Sequence, residues 1–120
     1  MLISFKGRNS GKEYTIPVNY VRCDSVFLVT SYRHRTWWRN LRGGALVTLH
    51  VRGQKLKGMG ETITSERDVA KHLRDYLQRI HKHAKYFNVS LDPDGNPNPA
   101  DIDRAAHDRI GVRIQLEASS

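Results

Sequence analysis

Residues Gly7 to Val21 read GRNSGKEYTIPVNYV, and the fold follows from how this stretch divides. Arg8 to Lys12 form a turn, because Asn, Ser and Gly accept turn geometry readily. From Glu13 to Val21 the pattern alternates, with Tyr14, Ile16, Val18 and Tyr20 on one face of a half-buried strand. Pro17 interrupts that strand. It has no N–H to give a ladder, so it belongs at an edge or a bulge. Upstream, LISFKG is a short strand ending at Gly7. Downstream, CDS turns the chain into VFLVTS (Val26 to Ser31), a continuous apolar run expected of a strand covered on both faces.

The same reading continues along the chain. Ala45, Val47, Leu49 and Val51 alternate in a strand, and RGQ turns it back into KLKGMGETI (Lys55 to Ile63). Gly58 and Gly60 there predict a bulge or the close approach of another group. Thr36 is placed to cap a short helix, WWRNLR, that stops at Gly43-Gly44. Then the period changes. Val69, Leu73, Tyr76, Leu77, Ile80, Ala84 and Phe87 recur every three or four residues, which predicts an amphipathic helix over Glu66 to Tyr86. Ser65 and Asp68 resemble a capping box. SLDPDGNPNP (Ser90 to Pro99) is a loop, after which Asn98 caps and Pro99 opens a short helix to about His107. Ile110, Val112, Ile114 and Leu116 alternate in the last strand. Six strands with mostly short links lack the alternation of a doubly wound sheet. They predict a mainly β (α+β), six-stranded antiparallel barrel, one domain over 1–120, with helices on its outside.

Composition narrows the function. The chain has 120 residues and a net charge of +8. Residues 1–60 hold 11 Lys/Arg against 2 Asp/Glu, and residues 61–120 hold 9 against 10. A basic half beside a neutral half points to an anionic ligand. No apolar run approaches the roughly 18–20 residues of a membrane span. The single cysteine, Cys23, excludes an internal disulfide and a cysteine-based zinc site. With no signal-like opening segment, the expectation is a cytoplasmic protein.

Two segments carry chemistry. GRNSGK joins turn backbone with Arg8 and Lys12, a combination suited to phosphate, although its spacing is not that of a P-loop. SYRHRTWWRNLRGG (Ser31 to Gly44) contains Arg33, Arg35, Arg39 and Arg42 and no acid. Consecutive helix residues point about 100° apart, so Trp37 and Trp38 cannot share a face. One packs inward with Leu41 while the other flanks a pocket, or both are core with arginines stacked on them. Arg33, Arg35 and Arg39 could offer fork-like donors to phosphate or carboxylate. His72, His81, His83 and His107 are read as surface or boundary residues, and His81 and His83 lack the i, i+4 spacing of a metal pair on one helix face. No metal site, catalytic triad or carboxylate pair stands out.

GRNSGKEYTIPVNYV, LVTS, WWRNLRGGALVTLHVRG and GMGETI together resemble the deazaflavin (F420)-dependent nitroreductase and quinone reductase family, over about Phe5 to Ile63. The resemblance implies a split β-barrel of the FMN-binding kind. It implies F420 as cofactor, with FMN as the alternative, and hydride transfer to a quinone, nitro compound or activated double bond. It assigns the cofactor phosphate to Arg8, Asn9, Ser10, Gly11 and Lys12, and sets Ile16, Pro17 and Val18 beside the ring. Trp37 matches the family's tryptophan, and Asn40-Leu41 its Asn-Leu pair. Ser31, Arg33, Arg35 and Trp38 complete the candidate cofactor residues. Tyr14, Tyr20 and Tyr32 are candidate proton donors to the reduced substrate. Two departures are expected to reshape the substrate pocket: a short loop from Ser31 to Trp37, and an opening directly on the first strand where many members have a helical segment. The partner implied is a small-molecule substrate, and a homodimer is compatible with the fold. The rival readings are a basic barrel that binds nucleic acid and a carrier of an apolar ligand, neither with catalysis.

Overall fold

Strands β2 (Glu13–Pro17) and β3 (Tyr20–Cys23) are the two edges of one sheet in the computed structural model, which describes residues 1–117. Between them run β1 (Leu2–Lys6), β4 (Val26–Tyr32), β5 (Ala45–Val51), β6 (Gln54–Ile63) and β7 (Arg109–Leu116), in the order β2-β1-β5-β6-β7-β4-β3. Every pairing is antiparallel. A flat sheet of this order would hold its edges about 29 Å apart at about 4.8 Å per strand. Only Val18 and Asn19 separate β2 from β3, and three Cα steps reach about 11 Å. The sheet therefore curls until its edges face each other across a split at Pro17–Asn19. This is a split β-barrel.

The barrel has seven strands where the sequence predicted six. The alternation from Glu13 to Val21 is real, but its two halves serve different partners. Residues Glu13–Pro17 pair with β1 and residues Tyr20–Cys23 pair with β4. Pro17, unable to donate, stands where the ladder changes hands.

Two cores follow from the curl. Inside the barrel, Ile3, Phe5, Phe27, Val29, Leu49, Val112 and Ile114 pack around Trp38 and Leu41. Outside it, Val21 and Leu28 meet α1 (Glu66–Arg79) and α2 (Pro99–His107). The continuous apolar run of β4 is explained by this: Phe27 and Val29 face one core and Leu28 the other. Gly58 is the close approach anticipated, since a Cβ there would lie 2.8 Å from the Gln115 carbonyl oxygen.

The long helix is also corrected. It ends at Arg79, where Ile80 leaves helical geometry (φ −142°, ψ 79°), and a 3₁₀ segment, His81–Phe87, follows. The apolar period continues through the break because the 3₁₀ segment still buries Ala84. Ser65 caps α1 by accepting from the Asp68 N–H at 3.2 Å, and Asn98 caps α2 by accepting from Asp101 at 3.1 Å. The Trp37–Leu41 segment is 3₁₀, and Thr36 makes no side-chain cap bond. No helix among the described residues is long and apolar enough to cross a membrane.

Candidate functional site

The Gly7–Lys12 turn is closed by its own backbone. Gly7 N–H donates to Lys12 O at 2.8 Å, and Gly11 N–H donates to Gly7 O at 2.9 Å, with Gly11 at φ +69°. Its position is fixed from outside by Asn40. The Arg8 N–H donates to Asn40 Oδ1 at 3.1 Å, and Asn40 Nδ2 donates to Trp37 O at 2.9 Å. One side chain thereby ties the basic turn to the tryptophan segment, 32 residues away. Trp37 is in turn held by Nε1–H donation to Ser31 Oγ at 3.0 Å, and its ring lies 5.9 Å from that of Phe5.

Two cavities open on either side of Trp37. The turn cavity, about 400 Å³, is lined by Asn9, Ser10, Tyr14, Thr36, Trp37 and Asn40, with Phe5, Gly7 and Ile16 beneath. The split cavity, about 360 Å³, lies where the barrel edges part. Ile16, Pro17, Val18 and Asn19 form one wall, Thr30, Ser31, Tyr32 and Arg35 the other, and Tyr86, Phe87 and Arg109 close it. Ile16 and Trp37 line both. The two are neighbours along Ile16 and Trp37 and together form the candidate groove, with the turn cavity beside the basic turn and the split cavity walled by aromatics.

Most of the anticipated residues meet there: Asn9, Ser10, Ile16, Pro17, Val18, Ser31, Arg35, Trp37 and Asn40 line the groove. Arg8, Gly11 and Lys12 stand exposed on the turn at its open end. Two do not join it. Trp38 is 1% exposed and belongs to the barrel core, with the Arg42 and Arg39 guanidiniums 5.0 and 5.6 Å from its ring. Arg33 turns away to donate to Thr64 O at 2.8 Å and Arg109 O at 3.0 Å, clasping β7 to the end of β6.

The three candidate tyrosines separate. Tyr14 lies at the turn end, its hydroxyl 3.5 Å from Ser10 Oγ. Tyr20 packs tilted against Phe27, ring centroids 5.4 Å apart, and lines neither cavity of the groove. Tyr32 lines the split cavity and its hydroxyl accepts from Arg109 Nη2 at 3.2 Å.

Arg109 is a residue that sequence reasoning missed. It is 7% exposed, with its guanidinium 4.7 Å from the Tyr32 ring and 5.0 Å from the Phe87 ring, and it pairs with Asp108 at 3.0 Å. Nothing in the HDRIGV spelling marks it as buried. Tyr86, 61% exposed, carried a weak signal: it falls off the apolar stripe of its segment. Behind it, burial pushes the Tyr76 hydroxyl up to about 12, and burial followed by the Lys82 charge holds His83 below its ordinary value. The two groups are 3.1 Å apart, so a neutral His83 Nδ1 accepts from Tyr76.

His72 is likewise not a boundary residue. It is 4% exposed, and its Nε2–H donates to the Val29 carbonyl at 2.8 Å. Among the described residues no cluster of three His, Cys, Asp or Glu side chains could hold a metal ion.

A groove of this shape can take a flat ring with an anionic substituent. Thr30 Oγ1 supports that fit, being buried in the wall of the split cavity with no hydrogen-bond partner among the described residues.

The family model described as F420H(2)-dependent quinone reductase matches residues 1–94. No curated protein matches the chain. Among solved structures, the chain resembles a 5-nitroimidazole antibiotic resistance protein from Bacteroides thetaiotaomicron, with 12% identity and TM-score 0.59, covering 98% of this chain and 72% of that one. It also resembles an F420 reductase (14%, TM-score 0.50, 98% and 85% covered) and HutZ, the heme storage protein from Vibrio cholerae (15%, TM-score 0.52, 98% and 81% covered). At these identities the structural likeness shows the fold.

Proposed function

The chain belongs to the F420H(2)-dependent quinone reductase family, and from that premise we propose that it binds F420 in the groove and reduces a quinone. Nitro compounds and activated double bonds are further acceptors of the same kind, and FMN is the weaker cofactor. The observation that carries this reading is the adjacency of the two cavities, which share Ile16 and Trp37.

When bound, F420H2 supplies the hydride. The chain's own residues bind, orient and exclude water. Arg8 and Lys12 complement a phosphate at the turn, where Asn9 and Ser10 add polar contacts. Trp37 offers its face to the ring. Ile16, Pro17 and Val18 border it, and Thr30 gives its free hydroxyl to the polar edge. Tyr32 is the proton donor: its oxygen accepts from Arg109, which leaves its own proton free for the reduced acceptor.

The test is anaerobic mixing of purified protein with F420H2 and a naphthoquinone, followed by the absorbance of oxidised F420. Protein-dependent oxidation of F420H2, faster than that of FMNH2, supports the reading. Absence of turnover with quinones, nitroaromatics and conjugated alkenes alike contradicts it.

A further inference from the structure

A third cavity, about 840 Å³, adjoins the groove on the far side of the split. Val18, Asn19 and His83 line both it and the split cavity. Its volume is in the range of a small-molecule site, roughly 300–1,000 Å³.

Its charge sets it apart. Arg22, Arg52 and Arg79 all line it, against one acid, Asp24. Among the described residues none of the three is in a salt bridge. They come from separate elements: Arg22 from β3, Arg52 from the β5–β6 turn, Arg79 from the last turn of α1. Two are held by one nitrogen. Arg22 Nε donates to the Asp24 carbonyl at 2.9 Å, with its guanidinium 5.1 Å from the Phe27 ring centroid, and Arg79 Nη2 donates to Cys23 Sγ at 2.7 Å. Among the described residues each keeps other N–H donors unengaged. Three arginines lining one concave wall against a single acid raise the local potential, and a guanidinium's fork suits an oxyanion.

We infer that this cavity recognises the carboxylate of an acidic substrate whose reducible end reaches the split cavity past Val18 and Asn19. The inference rests on the proposed reductase function and narrows its substrate class to organic acids. The basic turn cannot serve this purpose, because it lies at the other end of the groove.

The test is calorimetric titration of cofactor-free protein with a 1,4-naphthoquinone carrying a carboxyalkyl side chain, and with the methyl ester of the same compound. The acid is expected to bind about tenfold more tightly than the ester. In Arg52→Asn/Arg79→Gln that ratio should fall to near one, with ester affinity unchanged. Arg52 makes no side-chain hydrogen bond or salt bridge among the described residues, and Asn tolerates its φ of +49°, so Arg52→Asn alone should lower the ratio about threefold if the double variant fails to fold. Equal binding of acid and ester by the native protein overturns the inference, as does a ratio that survives the substitutions. A separate F420 titration keeps the two readings apart. If F420 fails to bind while the acid preference stands, anion recognition holds and only its link to reduction falls.

Discussion

Arg8 and Asn40, 32 residues apart, are joined by a hydrogen bond of 3.1 Å from the Arg8 N–H to the Asn40 side-chain oxygen. Because Asn40 also donates to Trp37 O, the geometry of the basic turn depends on the tryptophan segment. Asn40→Ala removes both bonds while leaving every charge in place. It should weaken F420 binding about tenfold and lower stability by about 1 kcal/mol, measured by equilibrium titration and urea denaturation. An unchanged affinity would mean that the turn needs no external support.

Tyr32 is expected to act on turnover and not on cofactor affinity. Tyr32→Phe keeps the ring beside Arg109 and removes only the hydroxyl. Turnover with a quinone should fall by about 100-fold, with the F420 Kd unchanged. Full activity in this variant would remove Tyr32 as the proton donor.

His72 ties α1 to β4, and Gly111 makes room for it. A Cβ at Gly111 would come within 2.7–2.9 Å of the His72 ring. Gly111→Ala must push the imidazole from its bond to Val29 O, and should destabilise the fold by about 1–3 kcal/mol, read from denaturant midpoints. Native-like stability would show that the ring has somewhere else to go.

The same histidine makes stability depend on pH. Burial holds the folded-state pKa of His72 below its ordinary value, against the pull of the Val29 carbonyl and Asp75, while Arg113 adds to the depression. The unfolded chain therefore takes up the proton first. Its contribution to stability is complete above pH about 6.5 and is lost as pH falls from there through the lowered folded value. Thermal melts from pH 7.5 to 5 should show Tm falling with pH, and His72→Gln should flatten that slope. Equal slopes would place the pH dependence elsewhere.

How far the sequence reaches is decided by the range of each interaction. Alternation and turn chemistry are local, so five strands and both α-helix caps were legible one for one, while β2 and β3 read as a single strand whose Pro17 marked the split without revealing that they part there. The break at Ile80 was hidden, because an apolar period continues through a 3₁₀ segment. In the groove, Trp37 and Asn40 could be placed by motif. Trp37 and Trp38 could not be told apart, since their fates depend on the barrel wall that each faces. Arg109 was invisible and Tyr86 only faintly marked, because they reach the split from β7 and the 3₁₀ segment, and only the curled sheet brings those elements to Pro17.

The central claim is that the groove between the basic turn and Trp37 holds F420. It is tested most directly by titrating the protein with F420 and following tryptophan fluorescence, in the native chain and in Arg8→Ala/Lys12→Ala. Trp37 faces the groove and Trp38 does not, so saturable quenching at micromolar F420 is expected, weakened at least about tenfold in the double variant through loss of two charged contacts. Quenching with the same midpoint in both proteins, or none at saturating F420, would contradict it.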